Sequence, residues 1–176
     1  MLDSPHFIPN IMGIMNVTPD SFFAETRICS NQPINYSKYE HSDIVDIGFE
    51  SSRPGAIPLS EKDELNRLFD ILEDVLKFKQ TLSIDTYKPK VAKTALENGF
   101  NMINDITGGG ENGAMIEIAS LFNCPIILMH MQANPTTMQH RPFYDDVMDE
   151  LLLFFETKVE LAKNIGLQDN QIILDP

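Results

Sequence analysis

Cationic residues are scarce in this chain. Thirteen Lys and Arg stand against 26 Asp and Glu in 176 residues, a formal net charge of −13. Gripping a phosphate backbone takes clustered Lys and Arg, so nucleic acid is excluded as a main partner. The acidity is read as serving solubility, and it still allows an anionic substrate if a few cations share one pocket. Cysteine is nearly absent. Cys29 and Cys124 make neither a disulfide framework nor a metal-ligand spacing. Cys124 precedes the apolar run PIILM and reads as a small buried hydrophobe. Reduced thiols suit the cytoplasm, the expected location. No run approaches the roughly 20 apolar residues of a bilayer span, so no membrane partner is expected. The opening MLDSPHFIPN has no basic segment and no long apolar stretch, and no signal peptide is expected. Also missing are a Ser-His-Asp order, a P-loop, a Gly-x-Gly-x-x-Gly turn and any zinc spacing.

What the chain does have is a rhythm. Short apolar runs recur at 11–16, 43–48, 81–86, 101–106, 125–130 and 171–176, and each ends in polar residues. Such nearly continuous runs fit parallel strands covered on both faces. Helical spacing fills most gaps. Residues 61–79 place Leu65, Leu68, Phe69, Leu72, Val75 and Leu76 on one stripe, with Ser60 as N-cap and Asp63 at the capping-box position. Pro89 opens a second helix that Gly99 closes. A short helix follows in NGAMIEIASLF, and the longest covers 146–165, ended by Gly166, with Val147, Met148, Leu151, Leu152, Phe155, Val159 and Ala162 at helical spacing. Between the first two strands a loop is expected, with room for one short helix.

Six alternations of strand and helix specify a parallel α/β fold. A doubly wound sheet gathers functional groups at one switch point, whereas a (β/α)8 TIM barrel takes them from many strand ends. Here polar residues stand at every strand end: Asn16, Asp46 with Glu50, Asp85, Asn104 with Asp105, His130 with Gln132, and Asp175. The barrel is the expected fold, with only about the first six strands in this chain. Taken singly, each strand-end acid is more readily a cap or turn residue. It is their recurrence at all six ends that points to a site.

Convergent carboxylates and amides without a nucleophile suit a ligand with a rim of N–H donors, such as a pterin or purine ring. Ser51, Ser52 and Arg53 form a polar turn with a fork-shaped cation matched to phosphate oxygens. Asn or Asp on the first loop could hold a divalent cation that helps an anionic group leave. TGGGENG (107–113) lacks the Lys and Ser/Thr of a phosphate loop and reads as a flexible strand-to-helix turn. His130 is expected to be a structural imidazole.

Six segments together, GIMNVTPDSF, DIGFESSRPGA, SIDTYKPKVA, INDITGG, LMHMQANPTTMQ and the terminal ILDP, resemble the dihydropteroate synthases of folate biosynthesis. The resemblance begins at residue 11 and keeps the family's motif order. It implies a pterin-binding TIM barrel, of which residues 1–176 are the N-terminal part of a single domain. It implies a transferase that condenses 6-hydroxymethyl-7,8-dihydropterin diphosphate with 4-aminobenzoate, releasing diphosphate with Mg2+ through an SN1-like carbocation. By position, Asn16 resembles the metal and diphosphate contact. Asp85, Asn104 and Asp175 resemble the pterin-edge contacts, with Asp46 in the floor and Ile106 and Met129 as walls. Ser52 and Arg53 fall in the loop that meets diphosphate and aminobenzoate, and Phe22 in the loop that closes over aminobenzoate. The full-length family member is expected to be a homodimer. Phe49 stands where the family has Gly, and Ser52 where it has Thr. A strand-seven Lys and a strand-eight Arg-x-His are absent from this stretch, so on its own it is expected to be inactive. A non-catalytic remnant and a pterin-dependent methyltransferase domain stay open as alternatives.

Overall fold

The computed structural model describes residues 9–17, 34–50, 58–131, 144 and 146–176. Six strands form one sheet: β1 (Met12–Asn16), β2 (Ile44–Gly48), β3 (Thr81–Asp85), β4 (Met102–Asp105), β5 (Ile126–Met129) and β6 (Ile172–Asp175). Their order in space is their order in the chain, and every neighbouring pair is parallel. A doubly wound sheet would reverse direction at a switch point. This one does not reverse, as a barrel wall requires. Helices α1 (Glu61–Val75), α2 (Pro89–Glu97), α3 (Ala114–Phe122) and α4 (Val147–Ile165) make the connections. The short helix expected before β2 is a single 3-10 turn, Tyr36–Tyr39. No helix among the described residues is long and apolar enough to cross a membrane.

Local chemistry sets the helix ends. The Ser60 hydroxyl accepts the Asp63 N–H at 3.1 Å and donates to the Asp63 carboxylate at 2.6 Å, so an orphan N–H of α1 is satisfied. Asp146 caps α4 by accepting from the N–H groups of Met148 and Asp149 at 2.9 and 3.2 Å. Gly166 ends it at φ 118°, a left-handed turn that costs a Cβ-free residue nothing.

The period of two along each strand separates two environments. Met15, Val45, Ile47, Ile84, Ile103, Ile126 and Leu128 point outward and are fully buried beneath the helices, against Leu68, Val91, Ala95, Met115 and Ile116. Each such side chain contributes about 1.5–3 kcal/mol relative to exposure. The register then fixes what points inward. Ile14 lies beside Asp46 and Asp46 beside Ser83, while Asn16, Gly48, Asp85 and Asn104 follow one another across four strands.

Several sequence expectations are corrected. In α1, Phe69 and Leu76 are exposed, and the buried stripe is Glu64, Leu68, Ile71 and Val75. That stripe keeps a helical period but starts on a carboxylate. In α4 only Ala162 is buried, and Val147, Met148 and Leu152 are exposed among the described residues. Phe49, which stands where the family has Gly, points outward into the core and is fully buried. It is one step past inward Gly48, so strand alternation turns it away from the site.

Candidate active site

Gly48 is the hinge of the site's geometry. It pairs in register with Asn16 on one side and Asp85 on the other. A Cβ placed on it would lie 2.9 Å from Asp85 Oδ2 and 3.5 Å from Asn16 Oδ1. Both polar side chains therefore lean over the space that glycine leaves, at the C-terminal end of the sheet. Next in register is Asn104, whose Nδ2 donates to Asp46 Oδ2 at 2.8 Å. Asn104 pairs in turn with Ile127, and Met129 and Asp175, in register with each other, stand one inward step further along β5 and β6. Ile106 follows β4 directly and is half-buried. The strand ends thus bring together Asn16, Asp46, Asp85, Asn104, Ile106, Met129 and Asp175. Phe22, Ser52 and Arg53 lie outside the described residues, as do Gln132, Cys29 and the segment Thr18–Phe23.

This inward set is acidic and incompletely satisfied. Asp46 is 4% exposed, yet its Oδ1 and the buried Ser83 hydroxyl have no hydrogen-bond partner among the described residues. Burial raises the Asp46 carboxyl above its ordinary range, against the pull of the nearby Ser83 hydroxyl, whose geometry falls short of a hydrogen bond, and of the Asn104 donor. Asp85 is packed round by protein while keeping some exposure at the mouth. Burial, then the charges of Asp46, Glu64, Asp105 and Glu50, push it well above the ordinary carboxylate range. A carboxylate held in that state gains from any ligand that brings N–H donors.

Asp105, the other polar residue at the end of β4, points away from the mouth. It is fully buried on the outer face, where its carboxylate accepts from Thr107 N–H (2.8 Å), Thr107 Oγ1 (2.6 Å) and Gly109 N–H (2.7 Å). The glycine turn, expected to be flexible, is therefore pinned. Gly108, Gly109 and Gly110 all take positive φ there, at 65°, 110° and 73°. His130 sits in an aromatic cluster beside β6. Its ring packs against Phe154 at 4.9 Å and Phe155 at 6.4 Å between centroids, and its N–H donates to the Asp175 carbonyl at 2.8 Å.

Two features escaped the sequence reading. Gly48 carries no functional group, and only its place one step beyond Ile47 in an alternating strand could have signalled an inward gap. Lys88 with Glu50 and Glu64 looks like ordinary surface charge until α1's true stripe is known.

Residues 12–176 match the family described as pterin binding enzyme. The chain belongs to this family. Pterin-binding relatives similar to it include the dihydropteroate synthase of Escherichia coli (strain K12), 38% identical over 180 residues, which cover 99% of this chain and 63% of that protein. The crystal structure of Yersinia pestis dihydropteroate synthase with a sulfonamide drug complex superposes with a TM-score of 0.83 at 39% identity. That match covers 96% of this chain and 62% of the other. The Burkholderia cenocepacia dihydropteroate synthase complexed with 7,8-dihydropteroate gives 0.79 at 34% identity, over 96% and 58%. The chain therefore spans less than two thirds of the length of these relatives, and its six strands are part of a TIM barrel.

Whether the described residues suit Mg2+ can be tested on their donors. No group of three His, Cys, Asp or Glu among them could hold a metal ion. Asn16 does present an amide oxygen toward Gly48. Mg2+ keeps most of its waters and takes one or two protein ligands beside substrate phosphates. A lone amide oxygen fits that mode and not an all-protein cage.

Proposed function

We propose that the full-length protein carrying this chain is a dihydropteroate synthase. It would join the amine of 4-aminobenzoate to the exocyclic methylene of 6-hydroxymethyl-7,8-dihydropterin diphosphate. The new bond is N–C. The C–O bond to diphosphate breaks with its electron pair, and the amine loses a proton to solvent. The observation that carries this reading is the inward row of Asn16, Asp85 and Asn104 across adjacent strands, opened by Gly48, in a chain of the pterin-binding family.

In this reading Asp85, Asn104 and Asp175 take the N–H rim of the pterin. Asn104 gives one amide proton to Asp46 and keeps its Oδ1 and second N–H for the ring. Asp46 thereby sets the direction of that amide. Ile106 and Met129 wall the ring. Asn16 would hold Mg2+ together with the diphosphate, and the ion supplies charge neutralisation to the departing group. Ser52 and Arg53 would meet diphosphate and aminobenzoate, and Phe22 would cover the latter. A cationic pterin needs no nucleophile from the protein. It needs fixed negative charge nearby and exact placing of the amine, which are the two effects this acidic mouth can supply.

Incubation of the full-length protein with both substrates and Mg2+ tests the proposal. Diphosphate release that depends on aminobenzoate is expected, and release that ignores aminobenzoate, or none, sinks it. The same preparation in sedimentation should run as a homodimer, and the protein should fractionate with the cytoplasm.

A further inference from the structure

Behind the mouth, on the outer side of the sheet, lies a cluster of ions that the reaction above leaves unused. Lys88 comes three residues after Asp85, and its side chain is 13% exposed. Its Nζ pairs with Glu50 and with Glu64 Oε2, the latter at 2.5 Å. Glu64 is fully buried in the first turn of α1, and its Oε1 accepts the Thr86 hydroxyl at 2.7 Å. Glu50 accepts the Tyr87 hydroxyl at 2.8 Å. The Lys88 N–H donates back to Thr86 Oγ1 at 3.2 Å, and the Thr86 N–H donates to the Asn104 carbonyl at 3.1 Å. One cluster thus ties the residues just past Gly48, those just past Asp85 and the backbone of Asn104 to α1.

Such a cluster is a poor way to gain stability. Removing three charges from water costs about what their pairing returns, and apolar side chains of the same volume would serve as well. What paired ions do supply is fixed direction between the groups they join. Here the joined groups are the strand ends that carry the site. We propose that Lys88, acting through Glu50 and Glu64, is a positioning residue that holds the ends of β2 and β3 so that Gly48 faces Asp85 across the mouth; this rests on reading that mouth as the pterin site. The side chain touches no substrate. It sets the distance at which Asp85 meets the ring.

Two variants of the full-length protein test this. Glu50→Gln cuts one arm and leaves a balanced Lys88–Glu64 pair, so the fold should survive. Lys88→Met combined with Glu64→Gln removes the clip while keeping its single excess negative charge. The readouts are amide hydrogen exchange across 47–50 and 84–88, and the dissociation constant of 6-hydroxymethylpterin. Glu50→Gln should weaken pterin binding by about fivefold and the double variant by about twentyfold, below the roughly hundredfold that a full 1 Å misplacement can cost. Exchange should rise by about tenfold at those strand ends and stay unchanged in α3 and β5. Lys88→Arg should recover part of both losses. The sign is decisive. If Glu50 acted only through its charge on Asp85, Glu50→Gln would favour the Asp85 anion and tighten binding, and that result would overturn the proposal. Wild-type exchange at 47–50 and 84–88 in both variants would overturn it equally. If the wild-type protein itself binds no pterin, it is the dihydropteroate synthase reading that fails, and the exchange comparison alone then decides the clip.

Discussion

Two polar clusters share the C-terminal end of this sheet, one on each side of it. The outer one, Asp105 with its glycine turn and Lys88 with Glu50 and Glu64, has partners for its charges and fixed geometry. The inner one, Asp46, Asp85, Asn104 and Asn16, crowds carboxylates together and leaves Asp46 Oδ1 and Ser83 unpartnered among the described residues. Buried polar groups are normally satisfied, and an exception invites an explanation in terms of function. Side by side, the two clusters show how one strand end divides its labour. The outward residue builds, and the inward residue is the one the proposed function assigns to a ligand.

That contrast can be broken from the outside first. Asp105→Ala removes three hydrogen bonds made by a fully buried carboxyl group and should cost about 3 kcal/mol of unfolding free energy. Urea melts of the full-length protein measure it, and a cost near zero would mean the outer cluster is no more structural than the inner one. Next in size is Gly48→Ala. Its methyl would sit 2.9 Å from Asp85 Oδ2, and pterin affinity should fall by about tenfold while stability drops by about 1 kcal/mol. A stability loss with pterin affinity unchanged would instead mark Gly48 as a packing residue.

Asp85→Asn should show opposite signs. Relieving a carboxyl pushed well above its ordinary range should raise apo stability by about 1 kcal/mol at neutral pH, while pterin affinity falls. Titration sharpens the same point. The folded pKa of Asp85 lies above its unfolded value, so the folded state binds more protons in the window between them. Apo stability should therefore fall as pH rises from the ordinary carboxylate range through the raised pKa. Pterin affinity should climb over that window, by up to about tenfold per pH unit, because the N–H rim prefers the anion. Thermal melts and binding titrations at matched pH check both slopes, and Asp85→Asn should flatten them. The smallest effect is a control far from both clusters. Lys163 and Asp169 pair at 2.7 Å with exposed side chains, and Lys163→Ala should change stability by no more than about 0.5 kcal/mol.

The strand ends were legible because each apolar run stops at a polar residue, and helix caps were legible because Ser60, Pro89, Gly99 and Gly166 have few other uses. The direction of Asn104 against Asp105, and of Gly48 against Phe49, was available in principle from the period of two. It went unread because strand ends were searched for polar chemistry, which passes over Gly48, and not for parity. Glu64 was harder. A carboxylate on a helix reads as a solvated face, and only the buried spacing of Leu68, Ile71 and Val75 reveals that it begins the inner stripe. Lys88 then follows, since a buried Glu64 requires a cation nearby. The rise of Asp85 could not be read at all from the sequence, because it depends first on burial and then on four acids from three separate segments.

The sequential strand order has a consequence for how the protein is made. Each strand from β2 onward lies beside one synthesised before it, so every new βα unit leaving the ribosome finds its docking edge already present. The sheet can grow outward from β1 without waiting for distant partners, which favours rapid, vectorial assembly. The polar mouth cannot form that way, because its members arrive one strand at a time. Asn16 precedes Asp175 by most of the chain, so a nascent barrel carries its acidic groups unliganded until the last of them is in place.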